Sequence, residues 1–150
     1  MRDHFPLRRR KLLQAGAAFG VSLLAPAAHA HEFFSSSLTV IHPWTRASAE
    51  GATSAIVSMI FQDVIQTDRL TGVQTPVAEA AELGGTAAGP ALDFLIREGQ
   101  NAELTENGVH LRLLRLNHPL LLGREYPMTL VFAKAGAIRA ALLVDYPPLV

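Results

Sequence analysis

Beyond residue 30, six side chains in this sequence could hold a metal ion: His31, His42, His110, His118, Met59 and Met128. No cysteine occurs anywhere in the 150 residues. Cu(I) is soft and is selected by thiolate or thioether sulfur, whereas imidazole and amine nitrogen suit Cu(II). Met59 lies in the apolar run Ile56-Val57-Ser58-Met59-Ile60-Phe61 and Met128 opens Met128-Thr129-Leu130-Val131-Phe132. Both settings are those of a methionine that fills a core. His110 has two readings, a metal ligand or a strand histidine with an ordinary surface hydrogen bond, since one imidazole alone binds metal weakly. His42 precedes Pro43 and Trp44 and reads as part of a packed corner, and His118 precedes Pro119 in a turn. No His-x-His, His-x-x-x-His or Cys-x-x-Cys pair follows residue 30, so a preformed zinc site has no support.

His31 owes its interest to what precedes it. Residues 1–30 carry Arg2, Arg8, Arg9, Arg10 and Lys11 against Asp3 alone, a net charge of +4, and the remaining residues are acidic by the same amount. A modest apolar stretch, Leu12 to Leu24, is interrupted by Gly16 and Gly20 and followed by Pro26 and Ala28-His29-Ala30. Basic head, apolar middle and a small-residue cleavage site make an export signal. The stretch is shorter than the roughly 20 apolar residues a spanning helix needs, so removal is expected and a permanent anchor is not. Arg9-Arg10-Lys11-Leu12-Leu13 fits a twin-arginine signal, and a general secretory signal has a similar basic head. Both routes end in the periplasm. Cleavage after Ala30 would leave residues 31–150 as one domain whose first residue, His31, offers an α-amine and an imidazole that together can chelate Cu(II). The alternative is a terminus that merely starts with histidine.

The balance of charge excludes some partners and chemistries. A domain with eight basic and twelve acidic residues is a poor partner for nucleic acid. There is no Gly-x-Ser-x-Gly and no cysteine nucleophile, Gly84-Gly85 lacks a following lysine, and Glu103 and Glu106 read as solvated turn carboxylates, so no enzyme is expected. With 49% apolar and 17% charged residues the chain can build a real core, and without disulfides its stability must come from packing.

The elements that must position these residues read as short strands. Leu38–Ile41, Ala55–Phe61, Leu70–Val73, Val77–Leu83, Leu92–Ile96, Ala102–Leu104, Val109–Leu116, Met128–Phe132 and Ile138–Val144 are apolar or alternating runs bounded by turn residues. Ser35-Ser36-Ser37 forms a polar lead, and Gly84 to Pro90 forms a loop. Ala78 to Leu83 could equally be a short helix. Asn107-Gly108 predicts a tight hairpin reversal. In V-H-L-R-L-L-R-L the period of two puts His110 and Arg112 on one face and Arg115 on the other. About eight short strands without sustained helical periodicity make an antiparallel β-sandwich.

Four segments carry a family likeness in their order: Leu38-Thr39-Val40-Ile41-His42-Pro43-Trp44-Thr45-Arg46, Pro76-Val77-Ala78-Glu79-Ala80-Ala81-Glu82-Leu83, Gly108-Val109-His110-Leu111, and Pro127 to Gly136. This order resembles the periplasmic copper chaperones of the PCu(A)C type, across nearly the whole of residues 31–150. The resemblance implies a cupredoxin-like, Greek-key β-sandwich. It also implies one Cu(I) bound through His and Met side chains, and delivery of copper to the assembly of cytochrome oxidase, with an oxidase-assembly protein as partner of a monomer. That family carries a His-x-Met pair after its Glu-Leu, a further Met, and a second His-x-Met on a late strand. Here the first pair is replaced by Gly84 and Thr86, residues 87–96 contain no Met, and the late pair is His110 with Arg112. His110 alone keeps the family residue. Arg112, always charged, would repel a cation held two residues away. The expectation is therefore a copper protein with an altered site at His110 and His31, Cu(I) by resemblance or Cu(II) through histidine nitrogen. The competing reading is a diverged sandwich that binds a periplasmic protein and no metal.

Overall fold

A computed structural model describes residues 31–89 and 91–147, and residues 1–30, read from the sequence as an export signal, lie outside the described residues. The described residues form ten β-strands and one 3-10 turn: β1 (Glu32–Phe34), β2 (Thr39–Thr45), β3 (Ser54–Gln62), β4 (Asp68–Gln74), β5 (Ala78–Gly84), the turn Gly85–Ala87, β6 (Phe94–Ile96), β7 (Ala102–Leu104), β8 (His110–Leu116), β9 (Glu125–Phe132) and β10 (Gly136–Val144). Hydrogen bonding runs β5-β8-β3-β2-β10-β9-β4-β6, with β1 added to β2 and β7 to β3. The first four strands of this order fold over the last four as a sandwich. Phe61 of β3 stands 6.0 Å, ring centre to ring centre, from both Phe94 of β6 and Phe132 of β9, meeting the latter edge-on at 85°. Such edge-to-face packing adds about 0.5–1.5 kcal/mol to the area buried.

The all-β sandwich expected from the spacing of apolar runs is the fold observed, and the differences are local. The sheet is not wholly antiparallel, because β2 and β10 run parallel through Leu143↔Trp44 and Val144↔Thr45. The Ser35–Ser37 lead is a hairpin turn: Ser35 Oγ accepts from the Leu38 and Ser37 amides at 3.1 and 3.2 Å, and β1 folds back on β2. Residues 78–83 are a strand and not a helix, since pairing of β5 along β8 overrides the helix preference of Ala and Glu. Asn107-Gly108 does not reverse the chain. Both β7 and β8 are antiparallel to β3 along the same edge, so residues 105–109 form a protruding turn that restores the original direction. Arg115 does not face inward with Leu111 and Leu113. Its φ of 52° breaks the alternation, and it is exposed and paired with Glu79 on β5.

Asp68 anchors the far hairpin. It is 1% exposed, its Oδ1 accepts from the Arg69 and Lys134 amides, and its Oδ2 accepts from the Ala135 amide, all at 2.8 Å. A buried carboxylate is tolerated when backbone N–H groups replace its water.

Candidate metal centre

His110 begins β8 opposite Gly84, the last residue of β5. The turn at 105–109, closed by the Thr105 amide on the Val109 carbonyl at 2.8 Å, brings the Gly108 carbonyl 3.0 Å from His110 Nδ1. The other ring nitrogen lies over Gly84. A Cβ added there would sit 2.2 Å from Nε2 and within 3.0 Å of two ring carbons. The imidazole thus fills the space that a side chain at position 84 would take. Next door, Gly85 has φ +77°, and a Cβ on it would be 2.2 Å from the Gly108 carbonyl oxygen. Only glycine combines that conformation with so close a backbone approach. Where the resemblance implied a first His-x-Met pair, this chain packs backbone and ring against each other.

The remaining positions of that region follow suit. Arg112 is ion-paired with Glu82, its cross-strand neighbour on β5, with Nε 2.9 Å from Oε1. The Glu82 carboxylate therefore offsets the charge expected to repel a cation at His110. Met59 and Met128 are 1% and 2% exposed and belong to the hydrophobic core, as their apolar runs predict. His118 sits on the surface against Tyr126, with Nδ1 2.9 Å from the Pro119 carbonyl.

His31 lies elsewhere. The edge of β2 is shared: β1 covers Thr39 to Ile41 and β10 covers Trp44 and Thr45. Between them the chain bulges, and His42, with φ 49°, is one of three non-glycine residues in the left-handed region among the described residues. A bulge re-aims a side chain, and a conformation of this kind persists where surrounding structure holds it. Here the His42 amide donates to the His31 carbonyl at 2.7 Å, and the two imidazole centres are 6.0 Å apart with planes tilted by 47°. Glu125, the first residue of β9, presents Oε1 3.4 Å from His31 Nε2. Burial, and then the neighbouring His31, hold the His42 pKa below its ordinary value, with Asp145 pulling weakly the other way. A neutral imidazole is the form that ligates metal.

Two of the expected site residues are thus placed apart. β3 separates β8 from β2, and His31 lies beyond β2 on the opposite side. With about 4.8 Å per strand, that is roughly 14 Å between the chains carrying His110 and His31. The residue that sequence reasoning missed is His42. Its partner is 11 positions away, outside the His-x-His and His-x-x-x-His spacings, and the register of β1 on β2 brings them together.

No group of three or more His, Cys, Asp or Glu side chains able to hold an ion occurs among the described residues. Two imidazoles come together here without a third such side chain. The 6.0 Å separation of the ring centres is close to that of two imidazoles sharing one ion. With metal–nitrogen bonds of about 2.0 Å and about 1.1 Å more to each ring centre, imidazoles on opposite sides of a metal stand about 6.2 Å apart. Beside His42 opens a groove of about 630 Å3 lined by Trp44, Ser58, Ile60, Glu103 and Pro147 among others.

Residues 38–144 match a family described as "Putative lipoprotein LpqE-like". Among solved structures, the apo PCuAC domain from PmoF1 is 30% identical, with a TM-score of 0.71, over 78% of this chain and 100% of that one. The copper-bound PCuAC domain from PmoF2 is 27% identical, also at 0.71, over 78% and 99%. The Cu(I) form of DR1885 from Deinococcus radiodurans, at 21% identity and 0.60 over 79% and 83%, shares the fold. No curated protein matches the chain.

Proposed function

Because the chain belongs to the LpqE-like family and its PCuAC-type copper-binding domains, we propose that it is an exported, non-enzymatic copper carrier that holds Cu(II) by nitrogen ligands at the junction of β1, β2 and β10. The export segment is residues 1–30 and the working domain is 31–150. Removal of the segment after Ala30 frees the His31 α-amine, which chelates together with the His31 imidazole, and His42 supplies the third nitrogen. Such a nitrogen set suits Cu(II) in a square-planar or tetragonal field. His110, held between Gly84 and the Gly108 carbonyl, is a separate position with a single imidazole and adds little affinity. The protein works as a periplasmic monomer that passes its ion towards oxidase assembly through a protein partner.

One observation carries this reading: the His31 and His42 rings, 6.0 Å apart, on backbones joined by a hydrogen bond. The copper-bound relative supports the cargo, and the depressed His42 pKa supports a ligand that is neutral near pH 7.

The test is Cu(II) titration, followed by electron paramagnetic resonance, of protein that begins at His31. Three comparisons accompany it: protein with one alanine retained ahead of His31, His42→Ala, and His110→Ala. One equivalent of Cu(II) should bind, and it should be lost or weakened at least about tenfold, roughly 1.4 kcal/mol, by the blocked amine and by His42→Ala. His110→Ala should bind as the parent does. If blocking the amine changes nothing, this site is wrong. If the processed protein binds no copper, the reading as a metal-free binding module replaces it.

A further inference from the structure

The Cu(II) reading leaves one choice open within His31 itself, namely which ring nitrogen meets the metal. An α-amine and its own imidazole close a six-membered chelate ring only through Nδ1, because Nε2 points away from the backbone. A neutral imidazole carries one proton, so Nδ1 is a lone-pair donor only when Nε2 holds that proton. In the structure Nε2 stands 3.4 Å from a carboxylate oxygen, Glu125 Oε1, a charge contact somewhat longer than a hydrogen bond.

We infer that Glu125 is a positioning residue of the copper site, whose carboxylate accepts the Nε2 proton of His31 and so presents Nδ1 and the α-amine together to Cu(II). The inference rests on the nitrogen-ligand reading above. A carboxylate is an acceptor only, so it selects one tautomer and fixes the ring plane. It also places a negative charge one imidazole away from the cation. Metal-bound histidines usually donate their distal N–H to such a partner, and losing that partner lowers metal affinity by about 10- to 100-fold.

Three independent elements meet at this contact. Glu125 starts β9 and is held by its register with Leu143 of β10, His31 leads into β1, and β10 and β1 both lie along β2. Glu125 is half exposed and His31 is 30% exposed at the side chain, so the carboxylate has no evident packing role in the core. The other carboxylate of the cluster, Asp145, acts on His42.

The experiment uses processed protein beginning at His31, with Glu125→Ala, Glu125→Gln and His42→Ala variants. Two quantities are read: Cu(II) affinity in competition with a chelator, and the quadrupole frequencies of the remote imidazole nitrogen by pulsed electron paramagnetic resonance. Those frequencies report the hydrogen bond at the nitrogen not bound to copper, which a merely structural role would leave alone. Glu125→Ala should bind about 10- to 100-fold more weakly and shift the remote-nitrogen frequencies. Glu125→Gln keeps an acceptor and should return the frequencies most of the way. Wild-type affinity and an unchanged spectrum in Glu125→Ala, while His42→Ala still weakens binding, would overturn the role of Glu125 and leave the site intact. Indifference to His42→Ala and to a blocked amine as well would overturn both.

Discussion

Replacing Gly84 with alanine asks whether the imidazole of His110 really occupies the space a side chain at position 84 would take. The backbone does not resist the change: Gly84 has φ −116° and ψ 177°, extended values open to any residue. On that ground alone, removing the freedom of glycine from the unfolded chain should stabilise the fold by about 0.4–1 kcal/mol. The new Cβ, however, would lie 2.2 Å from Nε2 and 2.8 and 2.9 Å from two ring carbons. The ring must swing by more than an ångström to reach an ordinary contact of about 3.5–4 Å, and in doing so it loses the Nδ1 contact with the Gly108 carbonyl. A hydrogen bond of this kind is worth about 0.5–1.5 kcal/mol. Gly84→Ala should therefore lie between about 0.5 kcal/mol stabilising and about 1 kcal/mol destabilising in the wild-type background, and be stabilising by about 0.4–1 kcal/mol in a His110→Ala background. A double-mutant cycle by urea unfolding, with unchanged m values, reads the coupling as about 1 kcal/mol, well above the additivity error of 0.3–0.5. Equal stabilisation in both backgrounds would refute the claim that His110 is packed on Gly84.

Three further outcomes are expected. Asp68→Ala should destabilise the protein by about 3–5 kcal/mol, because it strips a charged acceptor from three backbone amides. Asp68→Asn should fall between the two in thermal or urea unfolding, and an effect of Asp68→Ala below about 1 kcal/mol would contradict this. Stability should decline with acid in two stages. The folded-state pKa of His42 is depressed, so its contribution is present above about pH 6.5 and is lost as pH falls through that value towards the folded one. Asp93 and Glu106, lowered first by hydrogen bonds from Arg69 and Arg46, give support that is present above about pH 4.5 and lost below it, a small amount for exposed pairs. Urea midpoints against pH for wild type and His42→Ala check this, since the upper stage should vanish in the variant. Finally, Arg112→Met restores a thioether two residues from His110 and should change stability by less than about 1 kcal/mol. It should create no tight Cu(I) site, because Nε2 still lies over Gly84. Stoichiometric Cu(I) binding against a strong chelator would show that the ring is free after all.

Much of the fold was legible because its signals are local. Apolar runs of strand length, turn residues between them and the lack of helical periodicity are enough to specify a sandwich. Where the sequence left a choice open or pointed the wrong way, a distant partner had decided. Ala78–Leu83 is a strand because β8 offers it a ladder, and Asn107-Gly108 fails to reverse the chain because β3 accepts both flanking strands on one edge. Arg115 leaves its expected face through a single positive φ. The ion pairs of Arg112 and Arg115 with Glu82 and Glu79 depend on the register of β5 and β8 and on nothing within either segment.

For metal chemistry, residue types alone decided what kinds of ligand exist beyond residue 30: no cysteine, and two methionines committed to apolar runs, which leaves histidine nitrogen. Composition can settle this because a ligand class requires particular atoms, wherever they lie. Which histidines stand together is a different matter. His31 and His42 face each other because an antiparallel register and a bulge before Pro43 place them so, and Glu125 joins them from a strand more than 80 positions later in the chain. Proximity of that kind is a property of strand pairing across the whole chain, and no local pattern of residues encodes it.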